Sequence, residues 1–220
     1  MAGTFPVADI AHVEVAGAGF SQIQVALNPE FSLTSTDTVV PSTLLPHRTL
    51  DFDFSNTRLR AYDRRPDKVM RAVTSRLSVT WINGLPFIDV EVNGRKGKAL
   101  VDTGASNTFI NSAFAKKAAR SAKDYSQIEV ISSTGIVTPL RVLSSRRFTV
   151  GDFKITRFDV IVLDPEFLAS CGLQDEPVMV MGLDILRQFR MQLDRESHEI
   201  RLSQPNPLMR PGSTIYFNGN

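Results

Sequence analysis

The chain reads as an all-β protein. Two Asn-Gly pairs, Asn83-Gly84 and Asn93-Gly94, each separate runs of strand length, and short apolar runs recur through most of the chain beyond them. Asn-Gly between alternating runs is a strong hairpin signal, because a type I′ turn requires positive φ at two successive residues. Helical patterning is confined to one or two short stretches.

In order, residues 77–82 alternate partly and carry Val, Thr and Trp. Residues 87–92 read Phe-Ile-Asp-Val-Glu-Val, a period of two, and 98–101 read Lys-Ala-Leu-Val. Three antiparallel strands therefore deliver the chain to Asp102. A helix is predicted over 113–120, capped by Asn111 or Ser112, with Lys116, Lys117 and Arg120 on its wet face. Strands come next at 128–131 and 136–142 around Ser132-Ser133-Thr134-Gly135, then at 148–150 and 153–163 around Gly151-Asp152. Residues 178–181 form a short apolar run, and 184–189 predict one or two helical turns with Asp184 as cap. Residues 191–193 and 199–202 predict a hairpin, and the tail from Gln204, with three prolines, is expected to be extended.

An earlier segment repeats part of this order. Leu27-Asn28-Pro29-Glu30-Phe31 echoes Leu163-Asp164-Pro165-Glu166-Phe167. Leu44-Leu45, Leu50-Asp51-Phe52-Asp53 and Arg58-Leu59-Arg60 echo Ile185-Leu186, Met191-Gln192-Leu193-Asp194 and Glu199-Ile200-Arg201. The spacer between the blocks is five residues shorter in the first copy, and the repeat covers only the second half of the unit.

Composition narrows the function classes. A hydrophobic share of 42% across 220 residues suits a globular core, with 14 Phe and one Trp making Phe and the aliphatic residues its main packing material. Net charge is +2. Arg58, Arg60, Arg64, Arg65, Lys68, Arg71 and Arg76 form a basic stretch without interleaved aromatics, which reads as a solvated linker and not as a nucleic-acid contact. Cys171 is the sole cysteine, so an intrachain disulfide is excluded, and it reads as a small core residue. No apolar run approaches the ~20 residues needed to span a bilayer, so no membrane partner is expected. Residues 1–27 lack the charged and apolar regions of a signal peptide, which predicts a cytoplasmic protein if Met1 is the true start. His12, His47 and His198 lack metal-ligand spacing, so neither a metal nor another cofactor is expected. Gly-x-Ser-x-Gly and phosphate-binding Gly loops are absent, and Gly17-Ala18-Gly19 fails the dinucleotide pattern.

The chemistry concentrates at Ala99-Leu100-Val101-Asp102-Thr103-Gly104-Ala105-Ser106. An apolar strand that ends in an acid is unusual, because an unpaired buried charge is costly. Thr103 offers a hydroxyl, and Gly104 permits a tight turn with close backbone approach. Such a loop can hold a carboxylate by backbone amides while leaving it exposed at a cleft.

Asp102-Thr103-Gly104-Ala105 after a strand resembles the active-site loop of the retropepsins and their cellular and bacterial relatives. Val180-Met181-Gly182-Leu183-Asp184-Ile185-Leu186, with Gly182 80 residues after Asp102, resembles the family's second mark, two apolar residues and a Gly ahead of a short helix. The resemblance spans most of 77–203. It implies a retropepsin-like acid protease barrel with one or two short helices at 77–203. A partial repeat of the same lobe, or an N-terminal extension, would fill 1–66, with a linker at 67–76 and an extended tail at 204–220. It further implies an aspartic endopeptidase acting on protein or peptide substrates, with Asp102 as one of two paired carboxylates and no cofactor. By the same resemblance Thr103, Gly104 and Ala105 form the active-site loop, in which Thr103 braces the partner loop and Gly104 lines the cleft, and Met181 and Gly182 are structural residues near the site. Ser133, Thr134, Gly135 and Ile136 fall where the family has its substrate-covering flap. Because the chain holds one Asp-Thr-Gly and the mechanism needs two, the second acid is expected from a homodimer or from a second lobe of a longer parent chain. The rival reading is a catalytically silent peptide-binding module of the same fold that grips extended peptides by adding strands.

Overall fold

The computed structural model describes residues 7–15, 18–26, 42, 45–131, 137–205 and 215–217. The chain divides into two compact units, Met1–His47 and Arg48–Asn220. The first contains an antiparallel hairpin of β1 (Val7–Val15) and β2 (Ala18–Ala26).

The second unit is built on two sheets. The larger includes β6 (Thr80–Ile82), β7 (Leu85–Val92), β8 (Arg95–Val101), β9 (Phe109–Ile110), β10 (Tyr125–Ile131), β11 (Val137–Val150), β12 (Phe153–Val162) and β13 (Val178–Met181). The strand order is β10-β11-β12-β9-β13-β8-β7-β6, and β11 also pairs with β7. That last pairing closes β7, β8, β13, β9, β12 and β11 into a ring, which removes most free sheet edges. Phe87, Phe148, Phe153, Leu143, Ile88 and Met179 are fully buried in this unit.

The two Asn-Gly turns adopt the conformation their chemistry dictates. Asn83 and Gly84 have φ of 50° and 77°, and Asn93 and Gly94 have 52° and 75°. They join β6 to β7 through Ile82↔Leu85 and β7 to β8 through Val92↔Arg95, so three antiparallel strands do lead into Asp102. The predicted helix is α1 (Ser112–Ala118). Asn111 caps it, its side chain accepting from the Phe114 amide at 2.9 Å. Two four-residue helical turns complete the set, α2 (Phe167–Ser170) and α3 (Leu183–Leu186). The cap of α3 is Gly182, not Asp184 as expected, because the turn begins at Leu183 and Asp184 lies inside it.

The second sheet has the order β4-β3-β14-β15-β5. Its strands are β3 (Thr49–Asp53), β4 (Arg58–Tyr62), β5 (Ala72–Ser78), β14 (Arg190–Asp194) and β15 (Glu199–Pro205). Residues 72–76 of the stretch expected as a linker over 67–76 lie in β5, which pairs with β15 from Ala72↔Pro205 to Ser78↔Glu199. The compact units divide between His47 and Arg48, and β3 is hydrogen-bonded along β14. The basic stretch is exposed as its composition suggests, except at Arg60, which is partly buried; within it Arg58 pairs with Asp53, Arg60 with Asp51, and Arg64 with Asp67. Cys171 is partly buried against the apolar cluster of Phe87, Leu100 and Leu168. In the tail, β16 (Ile215–Phe217) runs antiparallel along β12. Among the described residues, no helix is long and apolar enough to cross a membrane.

Candidate active site

Asp102 comes directly after the last residue of β8, and β8 is one arm of an interleaved arrangement. β13 pairs in parallel with β8 on one side, from Val178↔Lys98 to Met181↔Val101, and antiparallel with β9 on the other. The loop from β8 to β9 must therefore pass over the C-terminal end of β13. Residues 102–108 are that crossing.

The crossing explains why a glycine ends β13. A Cβ built on Gly182 would lie 2.8 Å from the Ala105 carbonyl oxygen and 2.8 Å from the Asn107 backbone, closer than real Cβ contacts come. With no Cβ, the loop closes onto the strand end. The Asp102 amide donates to the Met181 carbonyl at 3.1 Å, the Leu183 amide to the Ala105 carbonyl at 2.8 Å, and the Asp184 amide to the Ser106 carbonyl at 3.2 Å. Ala105 and Met181 thus act through their carbonyls, and Met181 is fully buried. The sequence-predicted residues Asp102, Gly104, Ala105, Met181 and Gly182 are brought together here.

The carboxylate of Asp102 is half-buried, and the Gly104 amide donates to its Oδ1 at 2.8 Å. A Cβ at Gly104 would come within 3.1 Å of that oxygen, so the small residue keeps the approach open. Among the described residues Asp102 has no cationic partner. The Thr103 side chain makes no hydrogen bond to the described residues.

Thr108 and Asp184 form a clasp that sequence reasoning missed. The Thr108 hydroxyl donates to Asp184 Oδ1 at 2.6 Å, and the Thr108 amide donates to Oδ2 at 3.0 Å. The Gly182 amide in turn donates to Thr108 Oγ1 at 3.0 Å. This ties the end of the loop to the start of α3. Asp184 was legible as a helix-proximal acid, but no local pattern marks a partner 76 residues away.

Ser133, Thr134, Gly135 and Ile136 lie outside the described residues. The strands before and after them, β10 and β11, pair from Tyr125↔Leu143 to Ile131↔Val137. A concavity of about 810 Å³ includes Ser112, Lys116, Asp164 and Asp175 beside α1 and does not include Asp102. It is an open depression that Ala113, Pro165 and Leu168 also line. Among the described residues, no group of three or more His, Cys, Asp or Glu could hold a metal ion.

Two further acids are held very differently. The side chain of Asp51 on β3 is fully buried and receives hydrogen bonds from Arg190 at 2.8 and 2.7 Å, from Arg60, and from Gln192 at 3.2 Å. Burial pushes this carboxyl up, but the bonds from Arg190, Arg60 and Gln192 outweigh it and hold the pKa below the ordinary value. Asp194 on β14 behaves alike: burial raises it, while Arg48 at 3.0 and 3.1 Å and Ser197 lower it further, so the net shift is downward.

Comparison with known proteins bears on the same segment. Residues 88–185 match the family described as aspartyl protease. The chain is similar to the UBA domain-containing protein Mud1 of Schizosaccharomyces pombe, at 30% identity over 118 residues, which are 53% of this chain and 32% of that protein. It thus spans about a third of that relative's length. It is also similar to the crystal structure of a retropepsin-like aspartic protease from Rickettsia conorii, at 17% identity and a TM-score of 0.43, over 62% of this chain and 97% of that one. The segment that matches the aspartyl protease family carries Asp102 and Gly182.

Proposed function

We propose that the protein is an aspartic endopeptidase and that Asp102 is its catalytic carboxylate. The observation that carries this reading is the state of Asp102. It stands at the end of a buried strand, oriented by one backbone amide and, among the described residues, without a neutralising arginine, in a family whose chemistry needs a free acid there.

The mechanism requires a second carboxylate within a few ångströms of the first. Two such groups cannot both ionise easily, so they share a proton. The ionised member takes a proton from a water, the water attacks the peptide carbonyl, and the protonated member donates to the developing oxyanion. The proton then passes to the leaving amine. The Gly104 amide fixes which Asp102 oxygen faces the chain, and the Thr108–Asp184 clasp holds the loop that carries it. Ser133, Thr134, Gly135 and Ile136 act in this reading as the cover over an extended substrate, closing the site to bulk water. The second acid comes from a second unit of the same fold.

The test is digestion of a peptide library by the protein expressed from its whole gene, wild type beside Asp102→Asn. Wild-type cleavage with a bell-shaped or acid-shifted pH profile is expected, lost in the variant. Equal cleavage by the two would remove Asp102 from the mechanism. Binding without cleavage by the wild type would make the protein a peptide-binding module.

A further inference from the structure

The backbone carries two hairpins twice, and the agreement extends to details that a shared fold class does not require. A shift of 135 residues lays β1–β2 on β11–β12. All eight pairs from Val7↔Ala26 to Val15↔Ala18 then coincide with pairs from Val142↔Ile161 to Val150↔Phe153. A two-residue turn fixes register by itself. It does not place a positive φ four residues into the second strand, yet Gln22 has φ 55° and its counterpart Arg157 has φ 56°. Both ladders skip one pair at that point, between Ile10↔Ile23 and His12↔Ser21 and between Ser145↔Phe158 and Arg147↔Thr156. The inward phase slips with the irregularity. On β1 the less exposed positions are Ala8, Ile10 and Val13, and their counterparts on β11, Leu143, Ser145 and Phe148, are buried, as are Val142 and Val150.

A shift of 141 lays β3–β4 on β14–β15. All five pairs from Thr49↔Tyr62 to Asp53↔Arg58 coincide with Arg190↔Ser203 to Asp194↔Glu199. Thr57, with φ 48°, falls on His198, with φ 51°. The two copies then pair with each other: Asp53↔Arg190, Asp51↔Gln192 and Thr49↔Asp194. Under the shift Asp51 maps to Gln192, its own partner. The pairing of β4-β3-β14-β15 is therefore two-fold symmetric about the Asp51–Gln192 pair, as an isologous interface is.

One difference separates the copies. Val142, Leu143 and Phe148 are buried in the ring, whereas of their counterparts Val7 is exposed and Ala8 and Val13 are only partly buried. Ile10, Val13, Phe20 and Ile23 form the apolar face of a hairpin whose counterpart has a barrel to close.

Resting on the proposed function, we infer that β1–β2 and β3–β4 are the back half of a second lobe, and that the partner completing the active site is the front half of that lobe. That front half is a segment with its own Asp loop and the strands before it, borne upstream on the same polypeptide or on another one. A second copy of Asp102 cannot take this role by β14–β14 pairing, because β3 already occupies the edge of β14 that such a dimer would use.

The test reads mass and cross-linking, so its failure is separate from a failure of catalysis at Asp102. The 220-residue chain is expected to sediment without forming a β14-paired dimer as concentration rises. In a Cys171→Ser background, Gln192→Cys would set two introduced sulfurs across the axis of such a dimer. Mild oxidation is expected to leave this variant uncross-linked. In the same background, Phe52→Cys with Met191→Cys is expected to close an intrachain bond. An interchain bond at position 192 in a concentration-dependent dimer overturns the inference. So does failure of the 52–191 bond in a variant that melts like the wild type. Because substitutions at a buried sheet can unfold the chain, native mass spectrometry supplies a second reading. Active protein expressed from its whole gene is expected to contain, for each Asp102 loop, one further Asp loop of different sequence. Activity from an assembly holding only copies of residues 1–220 overturns it.

Discussion

Asp102 and Asp51 are both acids at sheet strands, and the chain treats them in opposite ways. Asp51 lies within β3, its side chain is fully buried, and it is bonded by Arg190, Arg60 and Gln192. Asp102 lies just past β8, is half-buried, and receives one backbone amide from Gly104. A buried carboxylate must be neutralised by partners or it destabilises the fold, and the two arginines do this for Asp51. The same neutralisation would make an acid useless for taking a proton from water. The difference teaches how to sort acids in this molecule: the one with arginines holds the sheet together, and the one with no arginine partner among the described residues is the one proposed for chemistry. It also removes Asp51 from consideration as the second catalytic acid, although it lies in the repeated segment.

The sharpest way to break this comparison is to exchange acid for amide at Asp102 and to delete the acid at Asp51. Asp102→Asn should lower peptide cleavage by about 10²–10⁴-fold or more while leaving the melting temperature near wild type, since its carboxylate makes a single exposed hydrogen bond. Asp51→Ala should do the reverse. It strands two arginines, each partly exposed, and should cost about 3 kcal/mol in chemical denaturation. If Asp51→Ala were neutral in stability but inactive, the two roles would be interchanged.

Gly182→Val tests the crossing that positions Asp102. The added side chain meets backbone at 2.8 Å, which cannot yield by changing a rotamer. A loss of about 1–3 kcal/mol or more is expected, read as a lowered denaturation midpoint. An unchanged midpoint would mean that the loop does not close on the end of β13. Thr108→Val removes one hydroxyl from the clasp and leaves the Asp184 carboxylate and the Gly182 amide short of a partner. About 1–3 kcal/mol is expected, together with a fall in kcat larger than any change in KM if the clasp positions the loop.

The smallest effect is a pH dependence. Asp51 and Asp194 both have folded pKa values below their unfolded ones. Their contribution is therefore fully present above the ordinary carboxylate value, about 3.9, and is lost as pH falls through the lower folded values. The melting temperature should drop in strong acid, and Asp51→Asn should flatten that drop. A profile that is equally steep in the variant would place the acid sensitivity elsewhere.

Local chemistry made much of this legible in advance. Asn83-Gly84 and Asn93-Gly94 encode their turns because only a few residue types accept positive φ, so β6, β7 and β8 emerge from three short runs. Asn111 marked the start of α1 for a similarly local reason, a side chain that reaches the amide three residues on. Asp102, Gly104 and Gly182 were visible because a strand that ends in an acid, and an apolar run that ends in glycine, are each unusual against a buried background.

The tertiary structure decided what no window of sequence contains. Strand β13 enters between β8 and β9, and this insertion alone makes Gly182 obligatory and brings Thr108 to Asp184. The basic stretch read as solvated, yet Arg60 turned inward once Asp51 was placed on the neighbouring strand. Strand β3 found an edge on β14, where Arg190 meets Asp51 from 139 residues along the chain. Turns and caps are settled by a few adjacent torsions, whereas strand order and buried charge pairs are settled by which distant edges and faces meet. That is why the candidate acid could be named from the sequence, and why the acids that hold the sheet could not.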